Sequence, residues 1–479
     1  MPVKKMMPVD RKRWVEKGKT VLLIFLVICC LGLLYSVLDL YRGQVSIRTV
    51  FWGPENAPAD SQAETLSSQN VVSTFWKWSE PDVIMTNYAE NRDLVLKDDG
   101  EYKKVVESIN IIMREAYSQK ESAFEKVSVE QWENALEGNS VYVRYPSVRP
   151  VNFDLQFYET KETAFLKNIT AYSEAVFIPN VSSERGVSVI ISDEASGEYV
   201  KITTNADATV LKNILRSRLD SQENPYSFAY EKAEQNAGGV SLGEMIVIPP
   251  SGQNTNAIVI KVPRVYQGGI NFTRTTDFAT GLINLFGYNP NTIRQYANSD
   301  GAIMFVGETG SLSVHPQGKI EYKALGENEG VSLSQSGQMG AGAYSVVSGL
   351  SSLIERVFTL CGVSDEKHNA DLKITAFPDI LQEQMVFKFD YFVDGHRVVI
   401  DEDSAVRAVV KNGVLTELKI WVKAIEKTEE TNQCEEIFTA VNTFCGQNPE
   451  CRVIKEGRLV YKPTEDEKET SAVWEIQGE

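Results

Sequence analysis

Apolar and polar positions recur along this chain with two different periods, and the switches between them mark out its elements. The stretch YKKVVESINIIMREAYS carries apolar residues at Val105, Val106, Ile109, Ile112, Met113 and Ala116, the spacing of an amphipathic helix. Ahead of it, DVIMTNYA and DLVLKD read as strands around a turn at Glu90 to Arg92. Ser128 with Gln131 three residues later has the pattern of a capping box and starts a helix at VEQWENAL. From Ser140 the signal shifts to β structure: VYVRY, a hairpin VSVIISDEASGEYVKITT about Ser-Gly, EMIVIPP and AIVIKVPRVY, interrupted by a helix at ATVLKNILRSRL. Further on, TGLINLFG and NTIRQYAN read as short helices, AIMFVGETGSLSVHPQGKIEYKAL as two or three strands, and YSVVSGLSSLIERVFTLC as a long amphipathic helix. A meander follows from LKITAFPD to SAVWEIQ, with a helix near EEIFTAVNTFC. Asp394-Gly395 and Asn412-Gly413 are hairpin signals, because both central positions of a type I′ turn need positive φ. Turns rather than crossover helices join many of the strands, which predicts an α+β fold of mainly antiparallel sheets with packed helices.

One stretch has neither period. Thr20 to Leu38, TVLLIFLVICCLGLLYSVL, runs without a charge; as a helix rising about 1.5 Å per residue it is about 28 Å long, one bilayer crossing. Ahead of it stand seven bases and two acids, and the positive-inside bias keeps that end in the cytoplasm. The apolar run is longer than a signal-peptide core and its exit, SVLDLYRGQV, has no A-x-A-like site, so an uncleaved anchor is expected. The organisation predicted is a basic cytoplasmic tail (1–19), a single transmembrane helix (20–38), a linker or stalk with one strand at VSIRTVFW (39–69), and two extracytoplasmic α+β regions, 70–270 and 271–479. The protein is expected in the cell membrane, single-pass, with its bulk outside. Within the anchor, Cys29, Gly32 and Ser36 share one helix face, and such a stripe of small residues lets membrane helices approach closely, with an ordinary lipid-facing anchor whose small residues are scattered by chance the equal alternative.

Composition sharpens this picture. The 479 residues are 43% hydrophobic and 24% charged, an ordinary globular balance with length for about three folding units. The net charge is −17; beyond the span 41 bases face 63 acids, so the exported part stands at −22. A surface of that sign repels a polyanion, and no nucleic-acid partner is expected.

Chemistry-bearing motifs are sparse. His315, His368 and His396 have no partner at metal-ligand spacing and read as solvated turn residues. Ser364 to Lys367 matches S-x-x-K, yet the S-x-N and K-T-G companions of penicillin-recognising enzymes are missing. Gly337, Gly340 and Gly342 lack the lysine-hydroxyl pair of a phosphate loop. Asp401, Glu402 and Asp403 carry no calcium-loop pattern and read as a solvated turn. No catalytic residue, metal or cofactor is expected. Cys434, Cys445 and Cys451 are clustered closely enough to hold one disulfide, with reduced, partly buried thiols the equal alternative.

Two segments carry a family resemblance. FGYNPNTIRQYANSDGAIMFVGETGSLSVHPQGKIEYKAL, through Phe286, Pro290, Ile293, Arg294, Tyr296, Leu312, Val314 and Tyr322, resembles the YycH family of Gram-positive bacteria. FKFDYFVDGHRVVIDEDSAVRAVVKNGVLTELKIWV is similar to the C-terminal sheet of YycH and its relative YycI. The match is best from about residue 280 onward; the longer N-terminal tail and the four exported cysteines depart from it. The resemblance implies an accessory regulator, not an enzyme, of the WalK/WalR (YycG/YycF) two-component system that controls cell-wall metabolism. It would pair with a YycI-like protein, as a heterodimer or alongside homodimers, and restrain the sensor histidine kinase through membrane-helix contacts. Two other classes stand beside it: an anchored envelope hydrolase using dispersed carboxylates, and a structural or inhibitor-like envelope protein. A deep cleft with convergent acids of raised pKa would mark the hydrolase.

Overall fold

The computed structural model describes residues 75–479 except 76, 89–90, 98, 159–163, 218–225, 236–239, 244, 250–255, 264–276, 327–328, 334–342, 364–369, 379–383 and 464–468. The chain divides after Leu66, and the elements below all belong to the unit Ser67–Glu479. The predicted anchor, with Cys29, Gly32 and Ser36, lies outside the described residues; among those, no helix is long and apolar enough to cross a membrane.

The first layer is built from β1 (Val83–Tyr88), β2 (Asn91–Leu94), α1 (Tyr102–Tyr117), β3 (Phe124–Val127), α2 (Val129–Glu137), β4 (Ser140–Pro150), α3 (Val151–Asp154), α4 (Ala164–Asn168), β5 (Ala171–Pro179), β6 (Arg185–Ser192), β7 (Tyr199–Asp207) and α5 (Thr209–Ser217). Its sheet runs β2-β1-β4-β5-β6-β7-β3, antiparallel throughout. Alternation along β4 divides the cores. Val141 and Val143 face α1 and α5 with Val105, Ile109, Ile112 and Leu211, while Tyr142 between them points to Trp132 and Leu136 of α2 and to Phe228. α2 starts where expected: Ser128 Oγ accepts from the Gln131 backbone at 3.2 Å, and the Gln131 side chain accepts from Ser128 N at 2.9 Å.

The rest comprises β8 (Ser227–Phe228), β9 (Ser241–Leu242), β10 (Val247–Ile248), β11 (Asn256–Lys261), α6 (Asp277–Leu285), β12 (Arg294–Ala297), β13 (Ile303–Val306), β14 (Gly310–Val314), β15 (Lys319–Ala324), β16 (Val331–Ser332) and α7 (Ala343–Leu360). It continues through β17 (Asp371–Ala376), β18 (Gln384–Val393), β19 (His396–Val398), β20 (Val406–Lys411), β21 (Val414–Trp421), β22 (Glu426–Gln433), α8 (Ile437–Gln447), β23 (Val453–Tyr461), β24 (Glu469–Thr470) and β25 (Ala472–Gly478). A large sheet runs β12-β13-β14-β15-β21-β20-β18-β19-β23-β25, with β16 on β21, β17 on β18 and β9 on β23. β11 sits between β22 and β24 in a small sheet of its own. Among the described residues only β9 and β19 pair in parallel, both with β23. The fold is thus α+β with mainly antiparallel sheets. Both hairpin turns have the expected geometry, with φ of 50° at Asp394 and Asn412 and of 82° and 78° at Gly395 and Gly413.

NTIRQYAN departs from the helix expected of it: Arg294–Ala297 is strand β12, paired with β13 from Arg294↔Val306 to Ala297↔Ile303. Its two apolar residues have helical spacing, but Ile293 is buried while Tyr296 is 49% exposed, so they do not share a buried face. Asn289 folds the preceding segment into a turn, its side chain accepting from Asn291 N at 2.9 Å.

Candidate functional site

Where the two halves meet, charged residues from β4, β17, β23 and the segment ahead of β1 come together. Asp82 stands just before β1, its N–H donating to the Arg144 carbonyl across the β1–β4 ladder at 2.9 Å. Arg144 Nη2 reaches Asp82 Oδ2 at 3.1 Å, and Arg458 Nη1, from β23, approaches the same oxygen at 3.6 Å. The hairpin turn between β18 and β19 closes on this point from the other side. A side chain at Gly395 would begin 2.9 Å from the Asp82 carbonyl, so glycine is required there both by φ and by space. Lys373, in β17, is buried and donates to the Pro81 carbonyl at 2.8 Å, with its ammonium 5.5 Å from the centre of the Phe392 ring.

These residues line a cavity of about 200 Å³ between the first sheet and strands β17, β18, β19, β23 and β25. Ion pairs border it: Lys97 with Asp371, Lys427 with Asp394, and Arg397 with the fully buried Asp390 at 2.8 Å. Val83, Ile84, Leu94, Leu459 and Trp474 supply its apolar wall. Burial opposes the charge on Asp82, but the Arg144, Arg458 and Lys373 cations outweigh it and hold the carboxyl below its ordinary pKa. Burial lowers the pKa of Lys373 against the pull of Glu80 and Asp82, and lowers that of His396 against Asp394 and Asp82. The carboxylate at the centre is therefore fixed in its charged form, suited to clamping cations and unsuited to delivering a proton near neutral pH.

His396 lines this cavity instead of a solvated turn, because the β18–β19 hairpin packs inward on Asp82. His315 also differs from expectation: its Nε2 lies 3.1 Å from Glu321 and its Nδ1 3.8 Å from Asp300, with the side chain 16% exposed. His368, Ser364 to Lys367 and Gly337, Gly340 and Gly342 lie outside the described residues. Asp401 accepts from Trp421 Nε1 at 2.8 Å and pairs with Lys419, and Asp403 pairs with Lys388. No metal-holding cluster of three His, Cys, Asp or Glu occurs among the described residues. Of the three cysteines predicted to cluster, Cys445 and Cys451 come within hydrogen-bonding reach, whereas Cys434 packs separately against β25, its thiol directed at the Ala472 carbonyl at 3.6 Å. Asp82, Arg144, Lys373 and Arg458 were not singled out from the sequence. They come from four segments far apart in the chain, which no local pattern in the sequence joins.

No family model matches the chain, and no curated protein matches it by sequence. Its three-dimensional structure is similar to the crystal structure of YycH from Bacillus subtilis, with a TM-score of 0.53 over 84% of this chain and 96% of that one, at 11% identity. The fold is YycH-like. The YycH-like architecture thus extends well ahead of residue 280, where the resemblance in letters begins.

Proposed function

We propose that this protein is a membrane-anchored, extracytoplasmic regulator that restrains a sensor histidine kinase of a two-component system controlling cell-wall metabolism. The observation that carries the reading is the YycH-like fold, which spans nearly the whole of the solved YycH chain. The sequence adds the topology. An apolar span at Thr20 to Leu38 follows a basic stretch, which places the proposed route of a signal through neighbouring membrane helices and through the ectodomain. The proposed partners are a WalK-like kinase and a YycI-like protein, with Cys29, Gly32 and Ser36 as the helix contact face. Tyr296 on β12, 49% exposed, offers an aromatic surface to an ectodomain partner.

The test is crosslinking from position 32 in native membranes, with Gly32→Leu as the perturbation. Kinase crosslinking from position 32 in the otherwise native protein is the expected result, together with weakened kinase capture on co-purification of Gly32→Leu and a rise in response-regulator phosphorylation at unchanged membrane insertion. Unchanged capture and unchanged phosphorylation would argue against the contact face, and protease shaving of intact cells that spared the ectodomain would overturn the topology.

A further inference from the structure

We propose that the cavity between the two halves binds a small molecule bearing one oxyanion, a carboxylate or a phosphate, on a compact apolar body. Size sets the first limit. At about 200 Å³ the cavity exceeds the apolar cavities of about 150 Å³ that take up benzene, so a ring or short chain with a polar head fits. The walls set the second. Val83, Ile84, Leu94 and Trp474 offer an apolar surface, which suits the body of such a ligand.

Unused hydrogen-bonding capacity decides the sign of the head group. Most charges around the cavity are already matched: Lys97 with Asp371, Lys427 with Asp394, and Asp82 with two guanidiniums. Two donors are not. The Lys373 side chain, in a residue 2% exposed, uses one of its three N–H bonds on the Pro81 carbonyl and has no carboxylate within salt-bridge distance among the described residues. Arg397 binds Asp390 through Nη2, while its Nε is buried with no hydrogen-bond partner. Buried donors without acceptors are rare and costly, more so than acceptors with a spare lone pair. An oxyanion supplies several acceptor lone pairs at once and compensates the buried ammonium. The exported surface, at −22, disfavours polyanions, which leaves a small ligand of low charge. Since both halves contribute to the walls, occupancy ties them together. The inference stands apart from the kinase reading and is measured without the kinase.

Calorimetric titration of the full chain in lipid nanodiscs tests it, with 4-phenylbutyrate and phenyl phosphate as oxyanion probes and 4-phenylbutanol and 4-phenylbutylamine as neutral and cationic counterparts. Saturable one-to-one binding of at least one oxyanion, roughly tenfold or more tighter than the alcohol and amine, is expected, the worth of a hydrogen bond to a charged group. Which oxyanion binds more tightly separates a carboxylate ligand from a phosphate one. Lys373→Met should remove that preference. Should this variant misfold, Leu96→Trp, built on a wall residue that is 56% exposed, should block binding by filling the mouth. Equal affinity for alcohol or amine, no binding by either oxyanion, or binding unaltered in Leu96→Trp would overturn the proposal.

Discussion

Arg149 and Asp154 are both buried in the first half, at the end of β4 and the end of α3. Arg149 Nε and Nη2 meet the two carboxylate oxygens at 3.0 and 3.1 Å, Nη1 donates to the Ser79 carbonyl at 2.7 Å, and the Tyr117 and Tyr172 hydroxyls each donate to Asp154 at 3.2 Å. A buried pair this completely bonded is stable as a unit and fragile in parts: Arg149→Met leaves a buried carboxylate uncompensated and should cost about 3–5 kcal/mol. Urea denaturation measures it, and a loss below about 1 kcal/mol, the range of exposed pairs, would refute the account. Asp82 makes its own prediction through pH. Its folded pKa lies below the unfolded one, so its charge contributes stability in full above the unfolded value, near pH 4, and loses that contribution as pH falls through the folded value. Asp82→Asn should flatten the acid limb of the stability curve below about pH 4; an unaltered acid limb would count against the clamp. None of these roles was legible in the sequence, because a charged residue reads as surface until the partners that bury it are known.

At the scale of elements the sequence was far more legible. α1 buries all six apolar residues that its spacing picked out, and α2 begins on its capping box, because a helix declares itself through contacts three and four residues away. β22, EKTEETNQ, shows the opposite case. It contains no apolar residue and is a strand because β11 pairs with it; pairing across the chain leaves no trace in local letters. The cysteines lie between these cases, since their spacing proposed a cluster and packing divides it. Cys445, near the end of α8, faces Cys451, just before β23, with burial and then the neighbouring thiol raising its pKa. Diamide should therefore link Cys445 to Cys451, two thiols giving up two hydrogens and two electrons to the reagent, and leave Cys361 and Cys434 open to alkylation after unfolding. Peptide mapping checks this. A bridge through Cys434 would show that the described separation is wrong.

The whole molecule depends on joints that span its length. β9 lies beside β23, β11 is held between β22 and β24, and β25 covers the far side of β23. Deleting residues 472–479 removes β25, strips β23 of that neighbour and uncovers Ile454 and Cys451. Such a truncation should lose the cooperative unfolding transition of the second half by circular dichroism, and full retention of that transition would show β25 to be dispensable. The seam at Asp82 belongs to this scale as well, since only the assembled halves create it.

The parallel ladder of β9 with β23 also fixes an order of events in time. Ser241 must wait for Val453, so a polypeptide made from its N-terminus can complete the first sheet early, while part of the second remains open until late in synthesis. Throughout that interval β9 lacks its partner and the second sheet keeps open strand edges, which makes this the stage of folding most exposed to aggregation.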